Sequence, residues 1–385
     1  MGMHPVGYYD LRVADLPLHA TAFRPLTEES LRKNPFRVFT SVLRRDLLSP
    51  DIRQSVATIL QKRNLFTPRL LEILDQAASG QILTPQDADD LIVEGLKIFQ
   101  WHSQTEVLIE DYLKLKQEHI MVADIVCFPS AHINHLTPRT LDIDLVQKAM
   151  IQHGLPAKER IEGPPPRQCP ILLRQTSFKA LEESVYFRSR ADAVPISGTH
   201  TARFGEVEQR GAAVTPKGRA LYDRQLLVAT EKDKSTPGGL AEFESVLADA
   251  FSSYPDTWQE LREAGLVYFR YRVTAKGLQY ASKSDAAALF QDRVTVDRLL
   301  SHGLIDYEPI TYEDFLPFSA AGIFQSNLAG NATPLSKKAV KGSLEELEEA
   351  LGCKILDEFG LYERLQQESI QSCADVLHLD EIVLV

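Results

Sequence analysis

The chain has 385 residues, of which 44% are hydrophobic and 25% are charged, a balance typical of one elaborate globular domain or two ordinary ones. Its net charge of -11 and the lack of a basic cluster with interleaved aromatic residues argue against binding to phosphate backbones, so nucleic acid is not an expected partner. No apolar run reaches the length of a membrane span, so no membrane is expected as a partner either.

The cysteines and the first residues bear on the compartment of the protein. The four cysteines lie far apart without metal-type spacing, which is typical of reduced thiols in a cytosol-like compartment. The first residues, MGMHPVGYYD, lack the charged-then-apolar order of a signal peptide. We therefore predict a cytoplasmic protein.

The N-terminal part is predicted to contain strands followed by helices. Apolar alternation from Gly7 to Phe23 predicts strands. We interpret them as part of a fold that begins earlier in the chain, so we expect a further segment upstream. Residues 51–119 are predicted to form a helical insertion. Thr67-Pro68 and Thr84-Pro85 are N-cap and first-turn pairs, and each is followed by apolar residues at helical spacing.

A sheet and more helices are predicted after this insertion. The expected strands are IMVADIVCF at 120–128, ILLRQTSF at 171–178 and TARFGEVEQ at 201–209, with a rigid connector at 163–170. Helices are expected at 215–229 and 240–264, a strand at 267–273, and mixed structure at 305–328. The tail from Ser343 is acidic and helical, and we interpret it as a solvated surface layer.

The stretch HTARFGEVEQRG, residues 200 to 211, carries unusually many charged groups for a strand. Side chains two positions apart on a strand share a face, so Phe204, Glu206 and Glu208 should point the same way. The two carboxylates would repel each other unless that face is wet or holds a cation. A solvated face is the simpler interpretation, and a metal-binding face is the alternative.

A second cluster makes the metal alternative stronger. The segment AHINHLTPRTLDIDL, residues 131 to 145, offers His132 and His135 after a predicted buried strand, with Arg139, Asp142 and Asp144 nearby. Two imidazoles and a carboxylate on one side of the metal are the donors that a non-haem Fe(II) oxygenase needs. A structural role, with each imidazole bonded to a backbone carbonyl, remains open.

Four long motifs, spread over most of the chain, resemble one known family. They are HINHLTPRTLDID, GPPPRQCPILLRQTSFKAL, HTARFGEVEQRGAAVTPKGRALYD and FLPFSAAGIFQSN. Almost residue by residue, they resemble sequences of the 2-oxoadipate dioxygenase/decarboxylase family, and the resemblance extends from GMHPVGYYDL to about residue 330.

This resemblance implies an α+β fold with a vicinal-oxygen-chelate-like β-sheet core surrounded by helical insertions. Residues 1–335 would form a single catalytic domain, and residues 336–385 an acidic helical segment packed on it. The implied reaction uses Fe(II) as cofactor and converts 2-oxoadipate and O2 to 2-hydroxyglutarate and CO2, a step of lysine breakdown.

The resemblance also implies roles for individual residues. HLTPRTLDI and FGEVEQR are similar to the metal-binding strands of the related 4-hydroxyphenylpyruvate dioxygenase, which makes His135 and Glu206 the expected metal ligands. His132 and Glu208 would then orient those ligands through hydrogen bonds, and Glu208 is counted with the catalytic residues.

The substrate, a 2-oxo dicarboxylate, needs a cationic partner for its distal carboxylate, and arginine is suited to that role. Arg203 and Arg174 are the candidates, and a structural ion pair is the alternative for each. The SAAGIFQSN stretch is expected to line the pocket, or else to form an ordinary turn. Its candidate residues are Ser319, Gln325, Ser326 and Asn327. Phe318, directly before this stretch, would narrow the pocket, because the family is expected to carry a smaller aliphatic residue there.

One departure from the family pattern concerns the N-terminal side. The family carries its first metal histidine and a substrate-clamping arginine in a His-Gly-Ala-Ile-Arg motif upstream of GMHPVGYYDL, and this sequence contains no such motif. His200, six residues before Glu206 on the same predicted strand, would lie about 20 Å away, too far to replace that ligand.

Three hypotheses therefore stand. The first is an Fe(II)-dependent dioxygenase whose sequence lacks an N-terminal segment. The second is a catalytically impaired relative that binds a dicarboxylate or a partner protein. The third is a different metal-dependent activity, such as an isomerase or lyase of the glyoxalase type, because one fold hosts many reactions.

Overall fold

A computed structural model of the chain describes residues 3–14, 16–33, 35–129, 137–158, 160–179, 181–190, 194–202, 205–235, 240–282, 294–316 and 343–384. The chain divides into two units, each assembled from three separate stretches. The first unit comprises Met1–Thr137, Phe178–Gly205 and Pro317–Ile355; the second comprises Pro138–Ser177, Glu206–Leu316 and Leu356–Val385. Both units contain helices and strands, which confirms the predicted α+β class.

The strands within the described residues are short and are distributed along the whole chain. They are β1 (Met3–Asp10), β2 (Leu18–Pro25), β3 (Val38–Leu43), β4 (Gln104–Leu108), β5 (Leu173–Ser177), β6 (Leu181–Arg188), β7 (Ile196–Ala202), β8 (Glu206–Arg210), β9 (Phe269–Val273) and β10 (Ile305–Pro309).

The helices of the same residues lie between and after these strands. They are α1 (Glu28–Lys33), α2 (Pro50–Gln61), α3 (Pro68–Ala78), α4 (Pro85–Phe99), α5 (Ile109–Glu118), α6 (Ile120–Cys127), α7 (Ile143–Gln152), α8 (Pro216–Ser235), α9 (Leu240–Ala250), α10 (Trp258–Glu263), α11 (Ala275–Ala281), α12 (Val296–Ser301), α13 (Ser343–Leu351) and α14 (Glu358–Leu377).

The first unit contains two three-stranded sheets. The strands β1, β2 and β3 form an antiparallel sheet, and β6 lies between β4, to which it is parallel, and β7, to which it is antiparallel. The second sheet shares its hydrophobic core with α2, α5 and α6, and the core includes Val56, Tyr112, Val122 and Phe187.

The predicted helical region at 51–119 is confirmed for the most part, because α2, α3, α4 and α5 occupy it. Thr67 caps α3 by accepting a hydrogen bond from the Leu70 amide, and Thr84 forms a capping box with Asp87 at the start of α4. The strand β4 was not predicted within this region. It is only five residues long, too short for its alternation to stand out.

The prediction of a strand at 120–128 is wrong, because Ile120–Cys127 form the helix α6. Every residue from Val122 to Cys127 is buried. A run that is apolar on all sides has no period, and so it does not distinguish a buried helix from a buried strand. The His119 side chain accepts a hydrogen bond from the Met121 amide at 3.0 Å and begins the helix.

The prediction of one strand across TARFGEVEQ is also wrong. Ile196–Ala202 form β7, which pairs with β6 in the first unit, whereas Glu206–Arg210 form β8, which pairs with β5 in the second. His200 therefore belongs to a different sheet from Glu206, and not to the start of the same strand. Local alternation identifies extended residues, but it does not identify their partner strands.

The remaining predicted elements agree with the structure, and the tail from Ser343 is helical as predicted, in α13 and α14. The strands at 171–178 and 267–273 correspond to β5 and β9, and the helices at 215–229 and 240–264 correspond to α8, α9 and α10. The mixed stretch at 305–328 begins with β10, and its part beyond residue 316 lies outside the described residues.

The predicted solvated tail is wrong for α14, which packs against β9 in the core of the second unit. Tyr362, Ile370 and Leu377 are buried there. The Gln366 side chain accepts a hydrogen bond from the Phe269 amide at 2.7 Å. These residues form one stripe of an amphipathic helix, and the many acidic residues of the tail concealed that stripe.

The structure also bears on the cysteines and on membranes. The thiols are free, with Cys127, Cys169 and Cys373 buried and Cys353 exposed. Among the described residues, no helix combines the length and the hydropathy that a membrane crossing requires.

Two helical glycines give a matched test of packing. A Cβ at Gly218 in α8 would lie 2.0 Å from the Leu266 carbonyl oxygen, whereas a Cβ at Gly95 in α4 would meet nothing within 4 Å. We expect Gly218→Ala to destabilise the protein by about 1 to 3 kcal/mol, because backbone must move. Gly95→Ala should stabilise it by up to about 1 kcal/mol. Chemical denaturation followed by circular dichroism measures both, and a stabilising Gly218→Ala would contradict the close approach.

Candidate metal and substrate site

The candidate site is built on the antiparallel pair β5 and β8 in the second unit. Neighbouring segments extend this pair on both sides. On the β5 side, Glu162 exchanges backbone hydrogen bonds with Gln175 at 2.8 and 3.0 Å. On the β8 side, the Glu208 amide donates to the Pro138 carbonyl at 3.0 Å, and Arg139 runs parallel beside Glu208. Four short segments therefore lie side by side.

Gly163 allows the first of these segments to approach β5. Its φ is +110°, in the region that favours glycine, and an added Cβ would lie 2.2 Å from the Leu173 carbonyl oxygen. A larger residue here would separate the Glu162 segment from β5.

The register of β5 and β8 determines which side chains share a face. Ser177 pairs with Glu206, and Gln175 pairs with Glu208. Paired residues of antiparallel strands point to the same side, so these four side chains share one face, which we call the carboxylate face. Glu206 and Glu208 therefore lie on one face, as predicted, with Glu206 half-buried and Glu208 buried.

Two arginines balance the charge of Glu208. Arg210 holds its carboxylate with two hydrogen bonds, at 2.8 and 3.0 Å, and Arg139 Nε lies 3.5 Å from it. Arg139 also donates to Glu313 at 2.6 Å, and Arg210 donates to the carbonyl oxygens of Tyr312 and Asp314. Because Glu208 is only 1% exposed, these contacts fix its orientation. Its catalytic role stays a prediction.

Glu162 adds a third carboxyl group to this neighbourhood. It lies beside Gln175, which in turn lies beside Glu208. Burial raises the pKa of Glu162 to about 8; the charge of Lys158 opposes this shift and the charge of Glu206 adds to it. No sequence pattern pointed to Glu162 or Lys158. The only signal was that Glu162 comes directly before the glycine and prolines of the connector at 163–170.

Arg174, predicted to bind substrate, lies on the opposite face of the strand pair. It pairs with Gln209, and its guanidinium donates to Asp144 at 3.0 Å and to the Pro164 carbonyl at 3.0 Å. The structure thus does not bring Arg174 and Glu206 together. The ion pair with Asp144 is the structural alternative that the sequence left open.

Arg174 faces a cleft of about 240 Å³ on that opposite side. Asp142, the N-cap of α7, and Gln209 line the cleft together with three consecutive prolines of the connector, Pro164, Pro165 and Pro166. The cleft is therefore separate from the carboxylate face.

Most of the other predicted site residues lie outside the described residues. They are His132, His135, Arg203, Phe318, Ser319, Gln325, Ser326 and Asn327. Within the described ranges, no group of three or more His, Cys, Asp or Glu side chains is arranged to hold a metal ion. The predicted roles of all these residues stay predictions.

His200 is buried among polar and aromatic side chains of the first unit. Its Nε2 lies 2.9 Å from the Asp124 carboxylate, and its Nδ1 lies 3.1 Å from the Tyr112 hydroxyl. The ring is fully buried against Phe128 and Trp101. In the sequence, the one sign of this contact is that Asp124 lies at the centre of an apolar run, where a buried carboxylate needs a polar partner such as His200.

Comparison with known proteins places these features in a family. The family model described as 2-oxoadipate dioxygenase/decarboxylase matches residues 1–327. Proteins of that name from Pseudomonas putida and Escherichia coli are 46% and 48% identical, over 98% and 97% of this chain and 80% of each relative. The resemblance seen in the sequence is confirmed: the chain belongs to the 2-oxoadipate dioxygenase/decarboxylase family.

Solved structures agree with this assignment. The crystal structure of the hydroxyglutarate synthase from Pseudomonas putida in complex with 2-oxoadipate has a TM-score of 0.81 and 44% identity, covering 98% of this chain and 80% of that one. The crystal structure of the protein YdcJ from Shigella flexneri has a TM-score of 0.78 and 43% identity, covering 97% and 79%.

The pKa of Glu162 makes a testable contribution to stability. Its ordinary pKa is 4.5 and its folded pKa is about 8, so between these values the folded protein keeps a proton that the unfolded chain has lost. Stability contributed by this group is therefore lost as the pH rises through that window, by up to about 1.4 kcal/mol per pH unit. We expect metal-free Glu162→Gln to lack this loss in urea denaturation at a series of pH values.

The difference between the two proteins isolates Glu162. Burial also raises the pKa of Glu358, to about 7, but that contribution is common to both proteins and cancels. Parallel stability curves for wild type and Glu162→Gln would show that the Glu162 carboxyl titrates normally.

Proposed function

We propose that this chain is an Fe(II)-dependent dioxygenase and decarboxylase that converts 2-oxoadipate and O2 to 2-hydroxyglutarate and CO2 in lysine catabolism. Family membership supports the reaction class. The structural observation that carries the proposal is the carboxylate face, because the β5–β8 register brings Glu206 to the same side as Glu208, which two arginines fix.

One described residue, Glu206, supports the proposal of a bound cation. Glu206 is half-buried, and its charge contributes to raising the pKa of the neighbouring Glu162 carboxyl. A divalent cation at Glu206 would reduce that repulsion. Carboxylate and imidazole are suitable donors for non-haem Fe(II), and we assign Glu206 and His135 as the ligands.

The order of segments also supports the pairing of these two ligands. His135 comes four residues before Arg139, and Glu206 comes two residues before Glu208. Arg139 and Glu208 form a parallel bridge, so each proposed ligand comes shortly before a residue of this bridge along the chain. The proposed core is of the vicinal-oxygen-chelate type.

Bound Fe(II) would supply the redox chemistry with O2 and would accept the carboxylate and keto oxygens of a 2-oxo acid. The protein's own contribution is positioning. Glu208, held by Arg210 and Arg139, keeps β8 in place so that Glu206 is presented with a constant orientation.

Other residues complete the proposed site. We assign His132 to orienting the ligands and Arg203 to the distal carboxylate of the diacid, since Arg174 is paired on the opposite face. We assign the lining of the substrate pocket to Phe318 and to Ser319, Ser326 and Asn327 of the SAAGIFQSN stretch that follows it.

The first test measures O2 consumption and 2-hydroxyglutarate formation with Fe(II) and 2-oxoadipate. We expect Glu206→Ala to lower turnover by at least about a hundredfold, because it removes a metal ligand. Glu349→Ala, on the exposed side of α13, is the matched control and should keep wild-type turnover.

The assay uses the chain as it stands and the chain with a family-like N-terminal extension that carries the His-Gly-Ala-Ile-Arg motif. Turnover by either form that depends on Glu206 supports the proposal. Folded protein without turnover in both forms would contradict it and would favour a dicarboxylate- or partner-binding protein. Turnover without O2 would favour the isomerase or lyase alternative.

A further inference from the structure

Tyr362 of α14 is buried against the segment 312–314 of the second unit. Its hydroxyl accepts a hydrogen bond from the Glu313 amide at 2.7 Å and donates one to the Asp314 carboxylate at 2.5 Å. Asp314 is fully buried as well. One hydroxyl therefore uses both its donor and an acceptor site to hold two consecutive residues in one conformation.

The segment 312–314 in turn contacts Arg210. The carbonyl oxygens of Tyr312 and Asp314 accept hydrogen bonds from this guanidinium at 2.9 and 2.7 Å. The same guanidinium donates to both carboxylate oxygens of Glu208, at 2.8 and 3.0 Å. The position of the segment thus determines where Arg210 holds Glu208.

A second route from Tyr362 to Glu208 passes through Arg139. The Glu313 carboxylate accepts a hydrogen bond from Arg139 at 2.6 Å, and Arg139 Nε lies 3.5 Å from the Glu208 carboxylate. Glu313 is therefore bonded to Tyr362 through its amide and to Arg139 through its side chain. Both arginines that balance Glu208 rest on the segment that Tyr362 fixes.

We propose that Tyr362 is a positioning residue of the candidate site, whose hydroxyl holds the segment 312–314 and, through it, both arginines on Glu208. This inference rests on the proposed function, because Glu208 keeps in place the strand that presents Glu206 to the metal. A metal ligand with looser supporting contacts samples more orientations, and metal binding must then restrict them. Tyr362 therefore strengthens metal binding without touching the metal or the substrate.

Tyr254 provides a matched control for a merely structural role of the Tyr362 hydroxyl. It is buried in the same hydrophobic core, and its hydroxyl donates to the Gly218 carbonyl at 3.2 Å rather than to the segment 312–314. Tyr254→Phe and Tyr362→Phe each remove one buried, hydrogen-bonded hydroxyl and keep the ring. Both variants should be destabilised in urea denaturation. A difference between them at the metal site then reports positioning.

The test measures Mn(II) affinity at constant pH, from the electron paramagnetic resonance signal of free Mn(II). Loss of a group that contacts a metal ligand directly costs about 10- to 100-fold in affinity. Tyr362 acts through further residues, so we expect Tyr362→Phe to bind Mn(II) at least about threefold more weakly than wild type. Tyr254→Phe should stay within about twofold of wild type.

The outcomes separate this inference from the proposed function. Wild-type binding that Glu206→Ala abolishes, together with unchanged binding by Tyr362→Phe or an equal loss in both Tyr→Phe variants, would overturn the inference and leave the proposed metal site standing. Binding that is absent from wild type, or that ignores Glu206→Ala, would remove the proposed metal site and the inference with it. If Tyr362→Phe does not fold, Glu313→Gln, which weakens the contact with Arg139, carries the same expectation.

Discussion

Five consecutive residue pairs join β5 to β8, from Leu173 with Arg210 to Ser177 with Glu206, and the candidate site depends on this register. A shift by one residue would exchange the two faces. If β8 shifted in this way, Glu206 and Glu208 would point toward the cleft beside Arg174, and Gln209 would turn to the other face. Backbone pairing thus separates two sets of charged residues that are mixed along the sequence.

The charges on the carboxylate face are arranged in two groups. Glu208 is balanced by Arg210 and Arg139 and forms a fixed part of the structure. The charge of Glu206 helps to raise the pKa of Glu162, and the charge of Lys158 opposes that effect. Removing one member of a buried charge group leaves the other uncompensated, so these residues act together rather than singly.

Part of this arrangement could be predicted from the sequence. The two-residue spacing of Glu206 and Glu208 was sufficient to place them on one face, and Thr67 and Thr84 were sufficient to begin two helices. Both inferences need only residues that are close in sequence. The partner strand of β8 could not be predicted in the same way, so the position of Arg174 stayed open and His200 was wrongly predicted to lie on the strand of Glu206.

Other features leave no distinctive local pattern in the sequence. The apolar run of α6 had no period, and the stripe of α14 was concealed by acidic neighbours. Glu162 and Lys158 reach β5 through the backbone approach at Gly163, which depends on a φ of +110°. A lone glycine before prolines is usually only a turn signal, and nothing local distinguishes it from one that allows two segments to pair.

The packing of α14 on β9 has a consequence for how the chain is made. The hydrogen bond from the Phe269 amide to Gln366 closes a loop of 97 residues, and the Tyr271 amide is bonded across 98 residues to Ser369. During synthesis from the N-terminus, the surface of β9 that α14 covers stays uncovered until these last helical turns have left the ribosome. At about 5–20 residues per second, that interval lasts roughly 5 to 20 seconds, during which a chaperone has time to bind.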